Sequence, residues 1–162
     1  MGFRSLKDIV DAEESGAVRQ FSFRKTPSQA STQGVWFDLS MSPGNPVPNY
    51  YASSPLVSVA LRQSTNGGFF HGSDVSPANK YLSRMTIASN SVTGLPLPFL
   101  LMDYLLYYPF IDEGTTDQQL LTNSVSLPRN ISGEGVRIMA VSVAPRTSGQ
   151  RFTVNYTNSQ GV

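Results

Sequence analysis

The feature that most constrains this chain is a change of hydrophobic period near Val18. Beyond that point apolar and polar residues alternate in short segments rich in Val, Ile, Phe, Tyr and Thr, which is the pattern of β-strands. Six segments show it: VRQFSFRK (18–25), GVWFDLSM (34–41), PLVSVALRQ (55–63), YLSRMTIAS (81–89), GVRIMAVSVA (135–144) and QRFTVNYT (150–157). Turn-forming residues separate the segments, and no run of helices alternates with them. The sequence therefore predicts a mainly β chain folded as an antiparallel β-sandwich or jelly roll.

The first residues have a different period and predict a short amphipathic helix over 5–14. Three apolar residues stand at i, i+3 and i+4: Leu6, Ile9 and Val10. Ser5 is suited to the N-cap and Gly16 to the end of the helix. A helix of this length is marginal alone in water, so its apolar face is expected to pack on its own domain or on a neighbouring chain.

The expected organisation is an N-terminal helix or anchor arm over 1–17 and a β-sandwich domain over 18–162. One segment inside that domain breaks the strand pattern, LPLPFLLMDYLLYYPF at 95–110. Pro98 suits the first turn of a helix and Pro109 suits its termination, so the segment predicts a short buried helix near 98–108. Asp103, in the middle, is expected to face the edge of the core or to cap a neighbouring loop.

A proline-rich stretch, SMSPGNPVPNYY at 40–51, cannot be helical because each proline lacks a backbone donor and favours extended geometry in the residue before it. It predicts a stiff extended path without ladder partners. Two roles fit: a contact arm between subunits, or a loop covering the end of its own sandwich. The candidate contact residues in this stretch are Pro46, Pro48, Tyr50 and Tyr51. The other candidates are Leu6, Ile9 and Val10 on the apolar face of the N-terminal helix.

Charge is sparse, since only 14% of residues are charged and the net charge is +1. This excludes the basic surface that nucleic-acid binding needs. A near-neutral surface repels its own copies weakly, so a homo-oligomer is the expected partner. The sequence has no cysteine and no apolar run of membrane-spanning length, so neither disulfides nor a membrane partner is expected.

The search for catalytic chemistry finds no enzyme motif. The single histidine, His71, is expected to be a locally hydrogen-bonded turn residue, since Ser73 and Asp74 lie too close in sequence to form a triad with it. Three acids, Asp112, Glu113 and Asp117, predict a solvated loop or the cap of a short helix starting at Thr115 or Thr116, with a weak calcium site as the alternative. We expect no enzymatic activity, cofactor or metal site.

Four stretches in fixed order carry a resemblance: WFDLSMSPGNPVPNYYASSPL, GGFFHGSDVSP, LLMDYLLYYPFID and FTVNYTNSQGV. Over residues 34–162 this combination resembles a group of virion structural proteins of tailed bacteriophages. The resemblance implies a virion location after synthesis in the host cytoplasm. Chains of this group continue past the NYTNSxG turn, so residues 18–162 are expected to be a whole domain or the first part of a longer chain.

The resemblance implies a capsid cement, decoration or minor capsid protein that oligomerises and stabilises the head shell through contacts with the major capsid protein or other virion proteins. The alternative is a tail, neck or fibre component whose β-sandwich binds host glycan through exposed aromatic residues, Trp36, Tyr50 and Tyr51. Trp36 lies in an alternating segment and is expected in the core, which favours the capsid role.

Overall fold

The computed structural model describes residues 4–27, 36–62, 67–72, 80–90, 98–143 and 151–157. Its elements, in chain order, are α1 (Leu6–Glu14), β1 (Arg24–Lys25), a 3-10 turn (Leu39–Met41), β2 (Gly44–Asn45), β3 (Val59–Ala60) and β4 (Leu106–Tyr107). The chain divides into two units, each built from two segments. The first unit is Met1–Asn49 with Gln63–Met102, and the second is Tyr50–Arg62 with Asp103–Val162.

The predicted β-sandwich or jelly roll is wrong. The described ranges contain two sheets, each of two short antiparallel strands, β1–β2 and β3–β4. Three of the alternating segments have no strand where they are described, at 81–89, 135–143 and 151–157. Alternation shows which side chains favour a pleated, half-buried surface, but a strand also needs a neighbouring backbone to complete its ladder. No described part of the chain supplies that neighbour.

Helix α1 confirms the prediction made from local signals. The Ser5 hydroxyl accepts a hydrogen bond from the Asp8 backbone N–H at 3.3 Å and donates to the Asp8 carboxylate at 2.9 Å. The Arg4 backbone N–H also donates to that carboxylate. This bond, and to a smaller extent the bond from the Ser5 hydroxyl, lowers the pKa of Asp8 below its usual value. Beyond the helix, Gly16 is left-handed, with φ of 72°. No side chain of α1 is buried.

In the first unit, β1 pairs with β2 in the register Arg24 to Asn45 and Lys25 to Gly44. The expectation that the proline-rich stretch has no ladder partner is therefore wrong at these two residues. The pairing depends on Gly44, whose φ is 141°. A Cβ there would overlap the carbonyl oxygen of Arg24 and lie 2.9 Å from Cα of Lys25.

The strand predicted over 34–41 is replaced by the 3-10 turn Leu39–Met41. The Asp38 carboxylate caps this turn by accepting the Ser40 backbone N–H at 2.8 Å. Such local bonds from Asp offer the backbone an alternative to a strand ladder. Trp36, expected in the core, is 67% exposed, so that expectation is wrong as well.

In the second unit, residues 56–61 have backbone partners on both sides. On one side β3 pairs with β4, Val59 opposite Tyr107, and Leu61 N–H donates to Leu105 O at 2.8 Å. On the other side Ser58 N–H donates to Thr122 O at 2.9 Å. This arrangement places a central strand segment between two neighbours.

The buried helix predicted near 98–108 is also wrong. Its residues form no helix, Leu106–Tyr107 are β4, and Leu56 N–H and Leu61 N–H donate to the carbonyls of Pro109 and Leu105. Tyr and Leu fit a pleated surface as well as a helix, so pairing with 56–61 decides the outcome. Leu100 and Leu101, expected inside a helix packed in the core, are exposed.

Candidate contact surfaces

Many large apolar side chains of the described residues are exposed. Among the described residues other than proline, Leu105 is the single buried apolar side chain, at 8% exposed, whereas 31 large apolar side chains are exposed. Isolated exposed apolar residues are normal on soluble proteins. The described residues therefore leave much of their apolar surface accessible, and extensive exposed apolar surface marks interaction sites.

The proline-rich stretch closes around one lysine in the first unit. Lys25 Nζ donates to Ser42 O at 3.0 Å and to Pro46 O at 2.6 Å, and it lies 5.5 Å from the centre of the Phe23 ring. Burial lowers the pKa of Lys25, against an opposing effect of the Asp38 charge. These contacts order the loop from within its own unit.

The two candidate prolines are therefore not free-standing parts of an arm. Pro46 is buried and Pro48 is half-buried, while Val47 between them is exposed. Burial of Pro46 is what we expect of a loop that packs on its own unit and not of a contact arm. Val47 is the exposed apolar side chain of this loop that a neighbouring chain could contact. A role of this loop in subunit contacts stays a prediction.

Tyr50 and Tyr51 have different environments in the second unit. Tyr50 is 69% exposed, whereas Tyr51 is half-buried. The Tyr51 ring lies 5.2 Å from that of Tyr107, in an edge-to-face arrangement, and 6.1 Å from that of Tyr104. Burial raises the pKa of Tyr107. Of the predicted pair, Tyr50 remains accessible and Tyr51 helps to pack its own unit.

The predicted contact residues of α1 are accessible. Leu6 is 77% exposed, Val10 is exposed and Ile9 is half-buried. The helix is stabilised by its cap and by the ion pair of Lys7 with Asp11 at 2.6 Å. Its apolar side is therefore formed and open to solvent, as a docking helix requires.

Arg129 is the polar centre of the second unit, and sequence reasoning missed it. Its guanidinium donates to the Asp103 carboxylate at 2.6 and 3.0 Å and to the carbonyls of Leu61 and Tyr104, both at 3.1 Å. Asp103 thus pairs with a distant arginine and neither faces a sandwich edge nor caps a loop. The partners lie 26 residues apart in sequence, so no local spacing indicates the pair.

A second polar node, also missed, joins the strand segment 56–61 to residues 124 and 125. Ser58 is 3% exposed. Its hydroxyl oxygen accepts hydrogen bonds from Ser124 N–H at 2.9 Å and Val125 N–H at 3.3 Å. The node satisfies buried polar groups and fixes the strand, so its role is structural.

His71 is exposed and interacts with Lys80, whose ammonium donates to the His71 carbonyl at 2.9 Å. Its bonding partner is thus nine residues away and not within its own turn. Ser73 and Asp74 lie outside the described residues. Lys80 is thus the side-chain partner that the described residues give to His71.

The acidic residues near position 112 form a loop. Asp112 Oδ1 accepts the Gly114 N–H at 2.7 Å, and the Thr115 hydroxyl accepts the Asp117 N–H at 3.1 Å. The alternative helix starting at Thr115 or Thr116 is absent from this described stretch. In the described ranges no three His, Cys, Asp or Glu side chains lie together as a metal-binding group.

Comparisons with protein-family models, curated proteins and solved structures find no match to this chain. Within the residues that the structure describes, no helix is both long and apolar enough to cross a bilayer.

Proposed function

We propose that this chain is a structural protein of a tailed-phage virion, a capsid cement, decoration or minor capsid protein that stabilises the head shell through protein–protein contacts. The observation that carries the proposal is the near absence of buried apolar side chains in the described residues, set against the many exposed ones. Neighbouring chains in a shell would cover this surface and complete the fold. The resemblance to phage virion proteins supports the same location.

The charge distribution supports a protein partner. With twelve basic and eleven acidic residues, the chain has neither the field that steers association with nucleic acid nor the repulsion that keeps copies apart. Charged residues are depleted at the cores of protein interfaces, where aromatic residues and Met are enriched. Several exposed residues of the described part of the chain are of these types, including Trp36, Tyr50, Phe110, Met139 and Tyr156.

The open face of α1 gives the first test. The double substitution Leu6→Gln and Val10→Gln changes two exposed residues, so we expect the fold to stay intact while binding to the shell weakens tenfold or more. This corresponds to about 1.4 kcal/mol, less than the loss of two buried apolar side chains. The matched control is Glu13→Gln with Glu14→Gln, on the same helix. Binding is measured by co-sedimentation with phage particles assembled without the protein.

Stoichiometric sedimentation of the native chain and of the control, with loss for the Leu6/Val10 variant, supports the proposal and identifies α1 as an anchor. If the native chain ignores the heads and binds tail parts or host glycan, the capsid role is wrong and the tail or fibre alternative replaces it. If both variants bind equally to heads, α1 is not the anchor.

A further inference from the structure

The loop that follows β4 presents two large apolar side chains to solvent. Phe110 is 58% exposed and Ile111 is 54% exposed, whereas Pro109 immediately before them is buried. We call Phe110 and Ile111 the apolar tip. Single exposed apolar residues are normal on a protein surface. What distinguishes this pair is the backbone that carries it.

Hydrogen bonds hold that backbone on both sides of the apolar tip. Before the tip, Pro109 O accepts the Leu56 backbone N–H at 2.9 Å. After it, the Gln119 side chain bonds Asp112 twice, because Oε1 accepts the Asp112 backbone N–H at 2.8 Å and Nε2 donates to the Asp112 backbone O at 2.7 Å. The apolar tip is therefore carried by a loop that is fixed at both ends within the second unit.

The backbone of Phe110 is strained. Its φ is 56°, in the left-handed region that bulky residues rarely adopt. Residues kept in such conformations are held there by their surroundings, and they concentrate at functional sites. Glycine would adopt this conformation without the cost. The chain thus has an aromatic ring where its backbone favours glycine, and since the ring lies mostly in solvent, it contributes little to packing within its own unit.

The same loop carries negative charge. Residues 104–128 contain three acids, Asp112, Glu113 and Asp117, and no Lys, Arg or His, although the whole chain has a net charge of +1. The three acids are exposed, and two of them follow the apolar tip directly. Partners in a protein interface have complementary potentials, and like charges exclude wrong partners. The surface complementary to this loop is therefore apolar at its centre and basic at its rim.

We propose that the apolar tip inserts into an apolar pocket rimmed by Lys or Arg side chains on a neighbouring protein of the head shell. The inference deepens the proposed function by naming a contact site and the chemistry of its partner, and it rests on that function. A loop that is already fixed loses little conformational entropy on binding. A ring that fills a pocket supplies affinity, while charges at the rim contribute orientation and association rate.

The double substitution Phe110→Asn and Ile111→Gln removes the apolar tip. Asn tolerates the left-handed backbone, so we expect the fold to be retained, as checked by urea unfolding. Co-sedimentation with phage heads assembled without the protein is expected to weaken tenfold or more. Ile131→Gln is the matched control, since Ile131 is an exposed apolar residue of the same unit, and it should bind as the native chain does.

A second variant tests the charge and leaves the apolar tip in place. Asp112→Asn with Asp117→Asn removes two charges and keeps the side-chain oxygen of residue 112 that accepts the Gly114 N–H. We expect binding to heads at low salt to weaken about three- to tenfold and to depend less on salt than native binding. The matched control, Glu13→Gln with Glu14→Gln, removes the same charge from α1 and should change neither.

The outcomes separate this inference from the function on which it rests. If the native chain and the folded tip variant sediment equally with heads, the inference is wrong and the proposed function stands. Native salt dependence in the Asp112/Asp117 variant overturns the basic rim, and with it the partner chemistry proposed here. The charge variant decides if the tip variant proves unstable. If the native chain does not bind heads, the proposed function fails and the inference fails with it.

Discussion

Replacing Arg129 with alanine is expected to lower the free energy of unfolding of the second unit by about 2–4 kcal/mol, most of it from two bonds to backbone carbonyls. Through those bonds the guanidinium connects Leu61 and Tyr104, which lie in chain segments far apart in sequence. The ion pair with Asp103 contributes less, because both side chains are substantially exposed and exposed pairs add about 0–1 kcal/mol.

Two further variants separate these contributions in urea unfolding. Asp103→Ala removes the ion pair alone and should cost less than about 1 kcal/mol. Arg62→Ala is the matched control, since Arg62 is an exposed arginine of the same unit and surface substitutions of this kind stay within about 0.5 kcal/mol. A loss for Arg129→Ala no larger than that for Arg62→Ala would contradict the role assigned to the guanidinium.

The second large effect is expected at Gly44, where alanine should destabilise the first unit by about 2–4 kcal/mol through steric overlap and backbone strain. The added Cβ would overlap Arg24 O and approach Cα of Lys25 to 2.9 Å, at a φ of 141°. The backbones of β1 and β2 would have to separate, which would also disturb the lysine that holds the proline-rich loop.

Gly68→Ala is the control for this substitution, because a Cβ at Gly68 meets nothing within 4 Å. Both variants are compared by urea unfolding and by amide exchange at Thr26, whose N–H donates to Pro43 O at 2.9 Å. We expect Gly68→Ala to be close to the native protein. Equal stability of the two alanine variants would show that the close β1–β2 approach is not maintained in solution.

The predictions that succeeded depend on local signals. Helix α1 follows from Ser5 as the cap and the apolar spacing of Leu6, Ile9 and Val10, all within one short segment. Its bounds could therefore be read from sequence.

The failures concern long-range pairing. Alternation in 135–144 predicted a strand but did not identify a neighbouring strand, and the described residues of this segment form none. The partner of Arg129 lies 26 residues away, and the pairing of Gly44 with Lys25 depends on an approach that no pattern of apolar residues encodes. The contact surface was only partly predictable, since burial of Pro46 and Tyr51 depends on the same long-range contacts.

The central claim is that neighbouring chains complete this fold, and amide hydrogen exchange tests it most directly. Exchange in 137–143 is measured for the dilute free chain and for the chain bound in phage heads, with Leu61 N–H, bonded to Leu105 O within the chain, as internal reference. We predict fast exchange of 137–143 in the free chain and strong protection in the bound chain, with Leu61 unchanged. Protection of 137–143 already complete in the dilute monomer, or absent in the bound chain, would contradict the account.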